Sequence, residues 1–329
     1  MNLDQNTEID SKVTTLPNKI RVTTETTPGH FHALGVYIDA GSRYESPATS
    51  GVSHLMDRMA FKVSRNPVCS CPAFMLKLAI ALARQTTTDH SSSEMSNLID
   101  SLGSNIHCSS SRETIMYQST IFPSDLAQAL KIMSSSILRP QILPEELEAQ
   151  KDAAAYEIRE IWAKADMILP EILHTVAYQD NTLGMPLLCP EERLDLITPD
   201  TLRAYMSEWY RPERIVVAGV GMEHEELVRL TQEAFGSMDT TYPSASLGSK
   251  TLHPSKTSSQ PSFSKSFATL QDSRLETPTH QELATAKAKY TGGELYLNKP
   301  GDEFVHVYVA FEGLGIHDPD IVSFTVVCW

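Results

Sequence analysis

Residues 51–59, Gly-Val-Ser-His-Leu-Met-Asp-Arg-Met, constrain the fold most, because they form an amphipathic pattern typical of a short helix. The preceding residues 33–41 alternate in polarity and are rich in β-forming residues, which is typical of a strand. A loop separates the two patterns. The sequence therefore predicts a strand, a loop and a helix in succession, with His54 and Arg58 four residues apart on one helix face.

The spacing of these residues is that of a metal site, but the residue types are not. In the pattern H-x-x-E-H, two histidines at i and i+4 bind one zinc ion, and the acidic residue beside them acts as general base. Here the same positions hold His54, Asp57 and Arg58. Arginine stays protonated and has no lone pair to donate to zinc. The pattern predicts a degenerate centre that holds no metal; the alternative is an ordinary amphipathic helix with one histidine.

Composition favours a basic ligand over an acidic one. The chain has 27 Lys and Arg against 41 Asp and Glu, a net charge of −14, which argues against a nucleic-acid partner.

Cysteine usage and hydropathy bear on the compartment of the protein. The five cysteines are too few for a disulfide framework and suggest reduced thiols in an intracellular compartment. The most apolar window, residues 74–83, is too short to cross a bilayer, so no transmembrane segment is predicted. Residues 1–10 have the pattern of neither a secretory signal nor a transit peptide.

Alternating strand and helix patterns indicate an α+β fold in which an antiparallel sheet is packed with helices. We predict a disordered tail at 1–12, one complete domain at 13–236 with an atypical insert at 63–84, a Ser/Thr/Pro-rich linker at 237–288, and the truncated start of a second domain at 289–329. Two strands are predicted in that last part, at 292–297 and 305–314. The predicted helices span residues 94–102, 124–138, 144–162, 170–178, 199–210 and 223–235.

Several longer strings carry a resemblance to a known family: residues 15–18, 35–45, 51–62, 108–118, 156–162, 182–190 and 305–320. Together they closely resemble the pitrilysin-type metallopeptidases, also called inverzincins, and within that family the alpha-subunit branch of the mitochondrial processing peptidases. The resemblance covers residues 13–236 apart from the insert, and it resumes from residue 291. It implies two similar domains, each a sheet covered by helices.

The resemblance implies a non-catalytic subunit. In that branch, an alpha–beta heterodimer in the mitochondrial matrix, or associated with the inner membrane, removes presequences from imported precursors. The beta subunit carries the zinc, and the alpha subunit helps to recognise basic amphipathic presequence peptides. By this resemblance the lost metal site comprises His54, Asp57 and Arg58, and Glu157 lies near the position of the distant third ligand. The candidate contacts to the presequence are Asp57, Glu157 and Glu160.

Three departures from the family pattern stand out. Residues 63–84 fall where the family segment is short, and the family-like sequence joins well if they are skipped, so we predict a retained intron or a wrong gene model. The glycine-rich substrate loop of the family's second domain is absent from the sequence. The family's N-terminal presequence is also not recognisable, so a mitochondrial location follows from the resemblance alone.

Two alternative functions remain open from the sequence. Relatives of this subunit serve as core proteins of the respiratory cytochrome bc1 complex, which is a structural function. An active single-chain metallopeptidase would need Glu157 or Glu160, together with another ligand such as His90 or His107, to join His54. Neither His90 nor His107 falls at i+4 on the helix that carries His54, which disfavours an active single-chain metallopeptidase.

Overall fold

The computed structural model describes residues 11–27, 29–60, 85–103, 106–179, 181–238, 280–298, 304–314 and 318–319. The predicted insert at 63–84 and most of the predicted tail and linker lie outside these ranges. Within them, no helix combines the length and the apolarity that crossing a membrane requires.

A six-stranded sheet organises the described part of the chain, with the strands in the order β1-β2-β6-β3-β5-β4. Neighbouring strands are antiparallel except β2 and β6, which are parallel. The predicted α+β class is therefore confirmed, and the sheet differs from the prediction by one parallel pair. The strands are Ser11–Thr15 (β1), Arg21–Glu25 (β2), His32–Ile38 (β3), Ile106–Ser110 (β4), Ile115–Ile121 (β5) and Ile215–Val220 (β6).

Eight helices accompany the sheet in the described ranges. One group covers a face of the sheet: α3 packs on β3 and β5, and α7 packs on β2, β6 and α3. A second group surrounds α1, which contacts α4, α6 and β4. The helices are Val52–Ala60 (α1), Ser92–Ser101 (α2), Leu126–Leu138 (α3), Pro144–Trp162 (α4), Ala165–Ala177 (α5), Pro199–Trp209 (α6), His224–Phe235 (α7) and His280–Thr285 (α8).

Local chemistry fixes several helix starts, including that of α2 at Ser92, two residues before its predicted start. Pro144 is the first residue of α4, where its missing N–H costs nothing, and two glutamates follow in the first turn. A capping box formed by Ser91 and Glu94 begins α2. Thr198 and Thr201 form the corresponding reciprocal cap of α6. These helices then bury their apolar faces in one core.

Several predicted boundaries differ from the structure, at α5 and at β1 among others. Pro170 lies inside α5 rather than at its start, because the helix begins at Ala165, with the Lys164 carbonyl accepting from the Ile168 amide. The proline removes one backbone donor, and the buried flanking isoleucines keep the helix packed. At the N-terminus, β1 begins at Ser11, so two residues of the predicted tail belong to the sheet.

The two strands predicted after residue 289 do not form. Residues 292–297 and 304–314 have no strand pairing within the described ranges, and most of their side chains are exposed. A strand is stable only when its backbone groups are paired, and these described segments pair with no sheet. Residues 286–292 instead run across the C-terminal end of α5, where the amide of Thr291 donates to the Ala177 carbonyl at 2.8 Å. We name residues 286–292 the strap.

Candidate functional site

A buried carboxylate sets the start of α1. Glu45 is 2% exposed, and its two oxygens accept from the backbone N–H groups of Gly51 and Ser53, both at 2.7 Å. These are amides that the helix itself cannot satisfy, and the negative charge suits the positive end of the helix dipole. Arg193 ties down the preceding loop by donating to the carbonyls of Ala48 at 2.8 Å and Ser50 at 3.2 Å.

Burial changes the acidity of two groups beside this turn. Loss of hydration raises the pKa of Glu45 to about 7, although its hydrogen bonds and Arg193 act in the opposite direction. Burial likewise raises the pKa of the Cys189 thiol to about 12, with the charge of Glu45 adding to the effect. Cys189 is 1% exposed and packs against Gly51 at this turn.

His54 lies inside the protein with both ring nitrogens engaged. Its Nδ1 accepts from the backbone N–H of Cys189 at 3.2 Å. Because that bond uses the Nδ1 lone pair, the neutral ring carries its proton on Nε2, which lies 3.4 Å from the Glu157 carboxylate. In this arrangement neither nitrogen presents a free lone pair to a metal.

Arg58 binds the same carboxylate one helical turn further along α1. Its guanidinium donates to Oε2 of Glu157, the oxygen that also faces His54. The Arg58 side chain is 8% exposed and that of Glu157 is 31% exposed. The ion pair therefore joins α1 to α4 at the position where the sequence pattern would place a metal ion.

The other predicted residues are more scattered. Asp57 is buried beside β4, where the Ser110 hydroxyl donates to it at 3.4 Å. Glu160 lies one turn after Glu157 on α4 with an exposed side chain. The structure thus brings together His54, Arg58 and Glu157, with Asp57 buried and Glu160 facing solvent.

The two additional histidines considered as ligands do not join this cluster. The backbone amide of His90 donates to Thr87 in the segment before α2, and His107 is an exposed residue of β4. Across the described ranges, no group of three or more His, Cys, Asp or Glu side chains is arranged to hold a metal ion.

Sequence reasoning missed Glu45 and Cys189 as parts of this site. Glu45 precedes the helix by more residues than the usual capping spacings, which place the acid at the cap or three residues inside it. Cys189 meets His54 through its backbone amide, 135 residues away in the chain. A backbone contact of this kind leaves no signal in side-chain identity.

These features define a class of protein: a metallopeptidase-type domain in which an arginine–glutamate ion pair occupies the position that the H-x-x-E-H pattern assigns to a metal ion. Family comparisons agree with this class. The sequence model described as Insulinase (Peptidase family M16) matches residues 21–67 and 78–191, and the model described as Peptidase M16 inactive domain matches residues 196–329. The chain belongs to peptidase family M16. The unmatched residues 68–77 fall within the predicted insert.

Curated relatives narrow the similarity within the family. The chain is 39% identical to the mitochondrial-processing peptidase subunit alpha of Neurospora crassa over 98% of its own length and 58% of that protein. It is 33% identical to the probable alpha subunit of Schizosaccharomyces pombe, over 94% of this chain and 51% of that one. The human alpha subunit is 26% identical, over 98% and 54%. The chain thus spans little more than half the length of these relatives.

A solved structure supports the same fold. A protease from Helicobacter pylori superposes with a TM-score of 0.60 at 15% sequence identity, covering 72% of this chain and 52% of that one. At this identity the likeness concerns the fold alone. The pitrilysin-like fold expected from the sequence is therefore confirmed.

Proposed function

We propose that this chain serves as the non-catalytic alpha subunit of a mitochondrial processing peptidase, acting in the recognition of presequences. The observation that carries the proposal is the Arg58–Glu157 ion pair, which stands where a catalytic subunit would bind zinc. The names of the curated relatives support the same function rather than that of a core subunit of the bc1 complex. A mitochondrial location, and more finely the matrix, belongs to this proposal.

The partner in this proposal is a beta subunit that carries the zinc and performs the hydrolysis. Another relative of this chain, from Arabidopsis thaliana, is named as a probable mitochondrial-processing peptidase subunit beta, at 27% identity. Subunits that share one fold can pair through corresponding surfaces. The alpha chain would then contribute binding surface and charge, and the beta chain the metal.

The proposed substrate is a basic amphipathic presequence peptide. A chain with a net charge of −14 attracts such a peptide over long range. Among the predicted contacts, Glu160 is exposed on α4 and Glu157 is partly exposed one turn earlier. Asp57 is 3% exposed, so it could reach a peptide only if α1 moved. We therefore assign the leading contact to Glu160.

Co-purification with a beta subunit tests the proposal. The full chain would be co-expressed with the beta subunit of the same organism, in which the glutamate of H-x-x-E-H is replaced by Gln so that bound peptide is not cut. We expect the two chains to co-purify in equal amounts and to retain a fluorescent presequence peptide that the beta subunit alone retains poorly. A parallel sample with unaltered beta subunit measures cleavage.

Each outcome bears on the proposal differently. Co-purification with increased peptide retention supports a recognition subunit, with or without cleavage. Co-purification with unchanged peptide retention would contradict a recognition function and favour a structural subunit. Failure of the folded chain to bind any beta subunit would overturn the proposal.

A further inference from the structure

The zinc ion that the pitrilysin-type pattern implies does not fit the residues of this chain. His54 uses Nδ1 to accept from Cys189 and directs its Nε2 at Glu157. The carboxylate of Glu157 is already bound by Arg58, which cannot act as a ligand. One neutral imidazole and one neutralised carboxylate are a poor donor set for a tetrahedral ion.

We propose that the Arg58 guanidinium replaces the metal ion as the cation that binds Glu157 and holds α1 against α4. A zinc ion and the Arg58 guanidinium have the same structural effect, since each places positive charge between α1, which carries His54, and α4, which carries Glu157. The proposal goes beyond presequence recognition and does not depend on it. It explains why the site can lose its metal and keep its geometry.

Charge balance supports this assignment. Glu157 needs a cation because a partly buried carboxylate is poorly hydrated. His54 faces this carboxylate only through Nε2, at 3.4 Å, because its Nδ1 accepts the backbone N–H of Cys189. Arg58 supplies the cation permanently, because guanidinium keeps its proton at any working pH. The fixed positive charge of Arg58 makes the cation between the helices independent of metal supply.

The position of Arg58 distinguishes this pair from an ordinary surface salt bridge. Every residue of α1 is buried, and the Arg58 side chain is 8% exposed. Exposed pairs contribute little, whereas removing one partner of a buried pair leaves an uncompensated charge. For comparison, the Arg159–Glu191 pair begins on the same helix α4 but has side chains that are 69% and 45% exposed. It serves as a matched control within the chain.

Restoring the metal pattern tests the proposal directly. The double variant D57E/R58H of the full chain restores the H-x-x-E-H pattern. It places a second imidazole beside His54 and Glu157 and removes the guanidinium that binds Glu157. After dialysis against micromolar zinc, we expect about one zinc per variant chain by elemental analysis and almost none in the unaltered chain. Adding H54A to the double variant should abolish binding. Zinc should also raise the thermal unfolding midpoint of D57E/R58H, but not that of the unaltered chain.

A folded D57E/R58H variant that takes up no zinc would overturn the proposal, because His54 and Glu157 would then not share a metal-competent geometry. If that variant does not fold, single substitutions decide instead. R58M and E157Q should each lower the unfolding midpoint by about 5 °C, and R58K by less, since it keeps the charge. Combining R58M with E157Q should lower it by clearly less than the sum. Additive effects, or an equal effect of R159M, would contradict a specific replacement of the metal.

Discussion

At the scale of single residues, Glu45 shows how burial and hydrogen bonding oppose each other. Its carboxylate accepts two amides at the start of α1, which favours the charged form. Burial disfavours that form more strongly, and the pKa of Glu45 rises to about 7. The folded protein therefore binds this proton more tightly than the unfolded chain does, in which a glutamate titrates near 4.5.

This difference predicts a pH-dependent loss of stability. The contribution of Glu45 is fully present below pH 4.5, and it falls as the pH rises through about 7. We expect the unaltered chain to lose about 3 kcal/mol of unfolding free energy across this window relative to E45Q, which cannot ionise. Urea unfolding at a series of pH values from 4.5 to 8 measures the difference.

The exposed Glu226 of α7 provides the control, since E226Q should change stability by less than about 0.5 kcal/mol at every pH. The comparison with E45Q removes the contributions of all other titrating groups. A constant difference between E45Q and the unaltered chain across the window would show that the Glu45 pKa is not raised.

The site residues illustrate what a sequence reveals at this scale. His54 and Arg58 could be placed on one helix face from their spacing alone, because helical periodicity is local. Glu157 was assigned to the site only through the family resemblance, and its contact with Arg58 joins residues 99 positions apart in the chain. No local rule covers such a contact. The hydrogen bonding of His54 could not be predicted either, because it involves the backbone amide of Cys189.

At the scale of elements, the turn into α1 depends on the absence of a side chain at Gly51. This residue has a φ of +89°, and a Cβ there would overlap the sulfur of Cys189. We expect G51A to destabilise the protein by more than about 2 kcal/mol, because it combines an unfavourable backbone conformation with a clash in the core. Chemical unfolding at pH 7.5 measures the change.

Gly103 is the control that separates the backbone conformation from the clash in the core. It also lies in the left-handed region, with a φ of +61°, but a Cβ there would have no neighbour within 4 Å among the described residues. G103A should therefore cost only about 1 kcal/mol, the backbone part of the effect. Equal losses for G51A and G103A would mean that contact with Cys189 contributes nothing.

Element types were more predictable than their partners. The helices α3, α4 and α7 lie close to their predicted ranges, because their apolar periodicity and end signals agree. The parallel pairing of β2 with β6 could not be predicted, since it joins segments about 195 residues apart. The two strands expected after residue 289 have a good β pattern, yet pattern alone does not provide a neighbouring strand.

At the scale of the whole molecule, the strap, which directly follows α8, is bound to the first part of the chain. Asn181 and Lys289 exchange two hydrogen bonds, at 3.0 Å and 3.1 Å. Arg43 adds a bond to the Ala286 carbonyl at 2.7 Å, and Tyr290 meets the ring of Tyr178 edge-on. These contacts are separate from one another, and the Asn181–Lys289 pair is exposed, so we expect the strap to open locally without global unfolding.

Removing the Asn181 side chain should release the strap. In N181A, we expect the backbone amide of Lys289 to exchange hydrogen about tenfold faster, because both hydrogen bonds between Asn181 and Lys289 are lost. Exchange in α1 should not change. The substitution N298A, at an exposed position beyond the strap, should leave both regions unaffected. Uniformly faster exchange in N181A would indicate global destabilisation rather than release of the strap.

The net charge of −14 predicts how a presequence should bind the molecule as a whole. A basic amphipathic peptide is attracted by many acidic groups at once, and salt screens that attraction over about 10 Å at 0.1 M. Fluorescence anisotropy should therefore show an affinity for the peptide that falls about tenfold between 0.03 and 0.3 M salt.

A pair of charge substitutions tests whether Glu160 contacts the peptide directly. E160Q and E226Q each remove one negative charge, so the weaker overall field should lower peptide affinity equally in both variants. We expect E160Q alone to weaken binding further, by about threefold, because Glu160 lies at the proposed contact. Equal effects of E160Q and E226Q would assign binding to the field of the whole molecule, and equal binding of a charge-reversed peptide would contradict the electrostatic argument altogether.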